Sequence, residues 1–197
     1  MTLYSYIVRR DYGFAPNPFH GYCTLATCKH VTRRVARPGD WIIGTGSKEH
    51  QRQGQLIYAM RVTERLSFDD YWNDPRFVLK RPDLTGSTMR WYGDSIYHQV
   101  DGIWVQEDSH HSLPGGEVNP VNYDDDLKTK YVLVSNEYWY FGRDAPIIPD
   151  QFRGTGPGNI LSPRGHKKNF TPGLTDAFLD WVRQHPPGPT GRPDRWT

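Results

Sequence analysis

Residues 39–47 read GDWIIGTGS, a Gly-Asp turn, a short apolar run and then Gly-Thr-Gly-Ser. Two folds compete for this stretch. Gly44 and Gly46 begin the spacing of a dinucleotide fingerprint, whose glycines let backbone N–H groups approach a pyrophosphate at a helix N-terminus. The KEHQRQGQ that follows at 48–55 has no apolar stripe at helical spacing, and the third glycine is missing. The next element, LIYAMRVTE at 56–64, is crowded with apolar and β-branched residues without a helical period, which predicts a strand. Strand, polar loop, strand is therefore the expectation. Asp40 shapes a turn, Trp41 to Ile43 form the wall of a small β-barrel, and Gly44 to Ser47 form a rim loop whose N–H groups could meet a phosphate.

Outward from this core, LYSYIVRRD at 3–11 alternates as a first strand should, and YGFAPNPFHGY at 12–22 reads as a long ordered loop because Gly13, Pro16, Pro18 and Gly21 interrupt it. Ser67, three residues before Asp70, resembles a capping pattern for a short helix that ends before Pro75. Asp101-Gly102 between two apolar-aromatic arms is a hairpin signal. KYVLVSNEYWYFG at 130–142 predicts one continuous central strand. After a Gly-, Pro- and Ser-rich loop, TPGLTDAFLDWVRQH at 171–185 places Leu174, Phe178, Leu179 and Val182 on one face of a terminal helix. One domain over 1–185 with a flexible tail at 186–197 is expected.

Composition sets the class. A chain of 197 residues suits one domain. It is only 36% hydrophobic, but 7 Trp, 12 Tyr and 8 Phe supply large apolar surfaces, so aromatic rings carry much of the core. Nineteen Gly and 16 Pro imply many turns and few long helices. A formal net charge of +2 neither requires nor excludes a nucleic acid. No apolar run is long enough for a membrane span and MTLYSYIVRR has no signal-peptide core, so a cytoplasmic protein without a membrane partner is expected. Two cysteines make no disulfide framework.

Several groups can carry chemistry. WVQEDSHHS at 104–112 is the densest cluster. Glu107 and Asp108 accept protons, Ser109 and Ser112 donate or accept, and His110 and His111 titrate near neutrality. As an acid–base site it would use Asp108 or His110, with Cys23 or Cys28 as a thiol nucleophile once a base lies nearby. Cys23 is the first choice among the thiols. A zinc set of Cys23, Cys28, His110 and His111 lacks diagnostic spacing, so neither a metal nor a cofactor is expected. In KHVTRRVAR at 29–37, Arg33, Arg34 and Arg37 suit phosphates, and rings such as Trp41, Trp72 and Tyr97 suit stacking on a base. Thr45, Ser47, Glu107, Ser109 and His111 complete the set of polar groups expected at a ligand.

The runs RRDYGFAPNPFHGYCTLATCK, GDWIIGTGS, LIYAMRVTE, YWNDPRF, GDSIYH, QEDSHHS and YFG together resemble the second nucleotide-modification-associated domain family over residues 4 to 149. That resemblance implies a setting in DNA base modification. The order PGDWIIGTGS…LIYAMRVTERLSFDDYW is also similar to the PUA-like superfamily, with its EVE and YTH domains, and implies an α+β protein on a PUA-like mixed β-barrel with short helices, long ordered loops and a C-terminal helix. The expected function is binding of a nucleotide or modified base, with DNA or a nucleotide as partner. The rivals are a nucleotide-modifying transferase or hydrolase, and a scaffold for a base-modification enzyme.

Overall fold

The computed structural model describes residues 1–163 and 165–196. The chain runs as β1 (Leu3–Val8), β2 (Cys23–Leu25), α1 (His30–Val35), β3 (Trp41–Gly46), β4 (Leu56–Arg61), β5 (Glu64–Ser67), α2 (Phe68–Asn73) and α3 (Thr88–Trp91). It continues as β6 (Tyr97–Val100), β7 (Ile103–Gln106), α4 (Pro120–Asp126), β8 (Tyr131–Ser135), β9 (Glu137–Tyr140), β10 (His166–Lys167), α5 (Leu174–Arg183) and β11 (Gly188–Pro189). The result is a mixed α+β fold. Its larger sheet has the order β10-β1-β3-β4-β9-β11, a second has β2-β8-β5, and β6 pairs with β7 alone.

The 39–47 stretch becomes β3, parallel to β1 and antiparallel to β4, with a register shift between Gly44 and Thr45. Its glycines are there for contact. A Cβ on Gly44 would sit 2.4 Å from the Tyr58 ring and 2.5 Å from Val8, and one on Gly46 would sit 2.2 Å from the Arg52 carbonyl oxygen. The Gly46 N–H donates to the Gln55 carbonyl at 2.9 Å, so it is not open to a phosphate. Trp41 lies wholly inside, stacked on Trp139 with centroids 5.7 Å apart.

The continuous strand expected over 130–142 is broken. Ser135 Oγ accepts from Glu137 N–H at 3.0 Å and donates to Glu137 O at 2.8 Å, a local turn that ends β8 and starts β9 on either side of Asn136. Opposite this break, β4 gives way to β5 at Val62-Thr63, so β4 pairs with β9 in one sheet and β5 with β8 in the other. This bent pair of strands couples the two sheets. Among the described residues no closed barrel forms: the larger sheet ends in the two-residue strands β10 and β11, and Pro189 in β11 has no N–H to extend the ladder.

Local signals elsewhere act as read. Ser67 and Asp70 make a reciprocal capping box on α2, and Asp101 and Gly102 take the left-handed φ values, 51° and 78°, of a tight β6–β7 turn. On α5, Phe178, Leu179 and Val182 are buried against the larger sheet. Of the segment expected as a flexible tail, residues 186–196 are instead strapped along the body, and Thr197 lies outside the described residues. β11 pairs in parallel with β9, Arg143 N–H donates to Arg192 O at 2.7 Å, and Trp196 Nε1 donates to Tyr12 O at 2.8 Å while stacking on Phe19. No helix among the described residues is long and apolar enough to cross a membrane.

Candidate active site

Cys28 stands where β2 turns into α1. Cys28 and Lys29 both have left-handed φ, 54° and 41°, a conformation that costs an L residue about 1–2 kcal/mol. Arg33 helps to hold the turn. Its Nε donates to the Cys28 carbonyl at 2.7 Å, and its other nitrogens reach the carbonyls of Tyr131 and Asp126 at 2.9 and 2.7 Å. The Cys28 thiol is left half-buried at the edge of a cavity.

His111 arrives from the loop after β7. Ser109 Oγ accepts its backbone N–H at 3.3 Å, and the Asn122 side chain donates to its carbonyl at 3.0 Å. The ring lies between two partners: Nε2 is 3.6 Å from Cys28 Sγ and Nδ1 is 2.7 Å from Asp126 Oδ2. Asp126 ends α4, a helix started by Asn119, whose side chain accepts from the N–H of Val121 and Asn122, and by Pro120. Its carboxylate is buried and also accepts from Cys28 N–H and from Tyr97 Oη at 3.1 Å, with an Arg33 nitrogen 3.7 Å away. The carboxylate fixes the proton on Nδ1 and turns Nε2 toward the sulfur, the order of nucleophile, base and orienting acid that activates a thiol.

The adjacent histidines are driven apart. Burial opposes a charge on His111, but its hydrogen bonds to Asp126 and Cys28 outweigh that and lift it to about 9. Burial, with the neighbouring His111 adding to it, lowers His110 to about 4. A cationic and a neutral imidazole thus stand side by side.

The cavity beside Cys28 holds about 300 Å³. Tyr12, Phe14, Cys28, His110 and His111 line it, together with Arg9, Arg10 and Lys29. His110 lies 4.5 Å from the Tyr12 ring and 5.3 Å from Phe14, and Phe14 is 4.7 Å from His111, centroid to centroid. Arg9 and Arg10 are exposed at its mouth. A larger cavity of about 700 Å³ is lined by Gln53 with residues of 156–163 and 166–169, and Cys28 is not among its lining residues.

The structure gathers some of the expected residues and separates others. His111, His110, Ser109 and Tyr97 meet at or behind the site. Cys23 is fully buried in β2, burial pushes its thiol far up, and it lines no cavity described here. Arg33 is also fully buried, so its guanidinium holds the site together and cannot reach an external phosphate, whereas Arg34 is exposed. Trp41 and Thr45 are core, with the Thr45 hydroxyl donating to Tyr6 O at 3.3 Å, and Ser47 donates to Arg9 O at 3.4 Å. Asp108 is exposed and accepts from Ser112 at 2.7 Å. Trp72 is covered by His98 and Arg81, each 4.0 Å from its ring, and Glu107 pairs with His98 at 2.7 Å.

Asp126 and the choice of Cys28 over Cys23 escape a reading by residue type. The Asn-Pro start at 119–120 was the available signal for α4. The three consecutive acids at its C-terminal end oppose the helix dipole and mask it.

Cys28, His111 and Asp126 offer ligand atoms within 4.8 Å of one another. They fit a metal poorly, because Asp126 occupies Nδ1 of His111 and leaves only Sγ and Nε2 to converge on one ion.

No curated protein and no solved structure matches the chain. The sequence profile of nucleotide modification associated domain 2 matches residues 1–197, its full length. With the whole chain covered, this protein belongs to the nucleotide modification associated domain 2 family.

Proposed function

We propose that this domain is a nucleotide-directed enzyme in which Cys28 is the nucleophile, His111 its acid–base partner and Asp126 the positioning residue. One observation carries the reading: the hydrogen-bonded relay from Cys28 Sγ through His111 to buried Asp126 opens onto a ring-lined cavity with arginines at its mouth. The His111 ring beside the sulfur supplies the base that a thiol nucleophile needs. Rings and guanidinium groups suit a base and its phosphate. The family supplies the nucleotide setting.

The test is site-resolved alkylation by iodoacetamide across pH 5 to 9, followed by mass spectrometry. Cys28 should react far faster than Cys23, and Asp126→Asn should slow it at pH 6 without unmasking Cys23. Equal, slow labelling of both thiols in the folded protein sinks the enzyme reading. A second reading, a module that only binds a modified base in DNA, rests on the ring-lined cavity. It would leave affinity for a nucleotide unchanged in Cys28→Ser and yield no product or adduct. The PUA-like plan belongs to that second reading, since there too a base enters an aromatic cavity.

A further inference from the structure

We infer that the group set against Cys28 is a cytosine or uracil ring, attacked by the thiolate at C6. This rests on the enzyme reading above and names its substrate. The cavity has two ends of different chemistry. Phe14, His110 and His111 stand with the half-buried Cys28 beside Lys29, whereas Arg10 is exposed, as is Arg9, which pairs with Glu49 at 2.7 Å. A nucleotide therefore enters base first, its phosphate at Arg10 and its ring among the aromatic groups. Cys28 and Lys29 also line a second cavity of about 320 Å³, so the choice of base rests on reactivity and not on size. The thiol then faces ring carbon and not phosphorus.

Among the ring carbons of nucleobases, C6 of a pyrimidine is the conjugate acceptor for a soft nucleophile. The step balances without a further reactant. Cys28 Sγ forms a bond to C6, the C5=C6 π pair moves toward O4 of uracil or N3 of cytosine, which takes up a proton in the cytosine case, and His111 or solvent then delivers a proton to C5. Loss of the original C5 proton restores the π bond, expels the sulfur and regenerates the thiolate. Neutral His110, 4.5 Å from Tyr12, offers ring nitrogens to the polar edge of the base. Activation of C5 in this way is what a base-modifying step at that carbon requires.

The reversible addition exchanges the hydrogen on C5, so proton NMR in D₂O reads it directly. The probes are dUMP, dCMP and a single-stranded oligonucleotide of cytosine and uracil, which separate a free nucleotide from a base in a strand. Removing the nucleophile removes the covalent route, so wild-type protein should remove the H5 signal of at least one probe while Cys28→Ser leaves it in place. Protein alkylated at Cys28 should be equally inactive, which covers a folding defect in the variant, and Cys23→Ser should retain exchange. Absence of exchange with all three probes, while Cys28 still shows its selective alkylation, overturns the pyrimidine assignment and leaves the enzyme reading standing. Absence of both selective alkylation and exchange removes the enzyme reading and this inference with it.

Discussion

Replacing His111 with Gln should change how stability depends on pH, and the size of the change follows from the site. His111 is lifted from 6.5 to about 9 by Asp126 and Cys28, against its burial, and its side chain is only 12% exposed. Because the folded value is the higher, the contribution is complete below pH 6.5, where folded and unfolded chains both carry the proton. It is lost as pH rises toward about 9, since the folded chain holds a proton the unfolded chain has released. One proton of difference is worth about 1.4 kcal/mol per pH unit. Across that window the wild-type protein should lose ~3 kcal/mol that His111→Gln never had. Urea unfolding at half-unit steps from pH 5.5 to 9.5 gives both curves, and their difference cancels titrations common to both, such as that of buried Lys80, which burial lowers to about 8. Curves that stay parallel through the window would refute a protonated His111 held between Asp126 and Cys28.

Two other substitutions probe the scaffold. Arg33→Met removes the guanidinium that donates to the carbonyls of Cys28, Tyr131 and Asp126 and holds the Cys28 turn, and should cost about 1–3 kcal/mol because buried acceptors lose their donors. Arg34→Ala, one residue away and exposed, should fall within about 0.5 kcal/mol; equal effects in urea unfolding would refute the division of roles. Gly44→Ala places a Cβ 2.4 Å from the Tyr58 ring and should destabilise by about 1–3 kcal/mol. Gly158→Ala, with nothing within 4 Å of the added atom, is the matched control in thermal unfolding, and an unshifted midpoint for Gly44→Ala would remove the packing argument.

The sequence by itself determined the local pieces and the family. Alternation marked β1, continuous apolar runs marked β3 and β4, Ser67 and Asp70 capped α2, Asp101-Gly102 turned the β6–β7 hairpin, and the apolar face at 174–182 marked α5. Each of these signals acts within a few residues, where backbone sterics and side-chain caps suffice. The tail differed because its anchor is distant in sequence. Trp196 bonds Tyr12, and neither position announces the other.

Only the tertiary structure decided the site. The sequence contained both cysteines and both histidines, but nothing local distinguishes Cys23 in β2, wholly enclosed, from Cys28 on a left-handed turn at a cavity. Arg33 and Arg34 are neighbours of the same type that α1 sends to opposite environments, one into the core and one to solvent. The relay joins residues 28, 111 and 126, brought together by the β2 turn, the loop after β7 and the end of α4. Charge, burial and proton position at that junction are properties of the assembled neighbourhood, and residue type alone does not carry them.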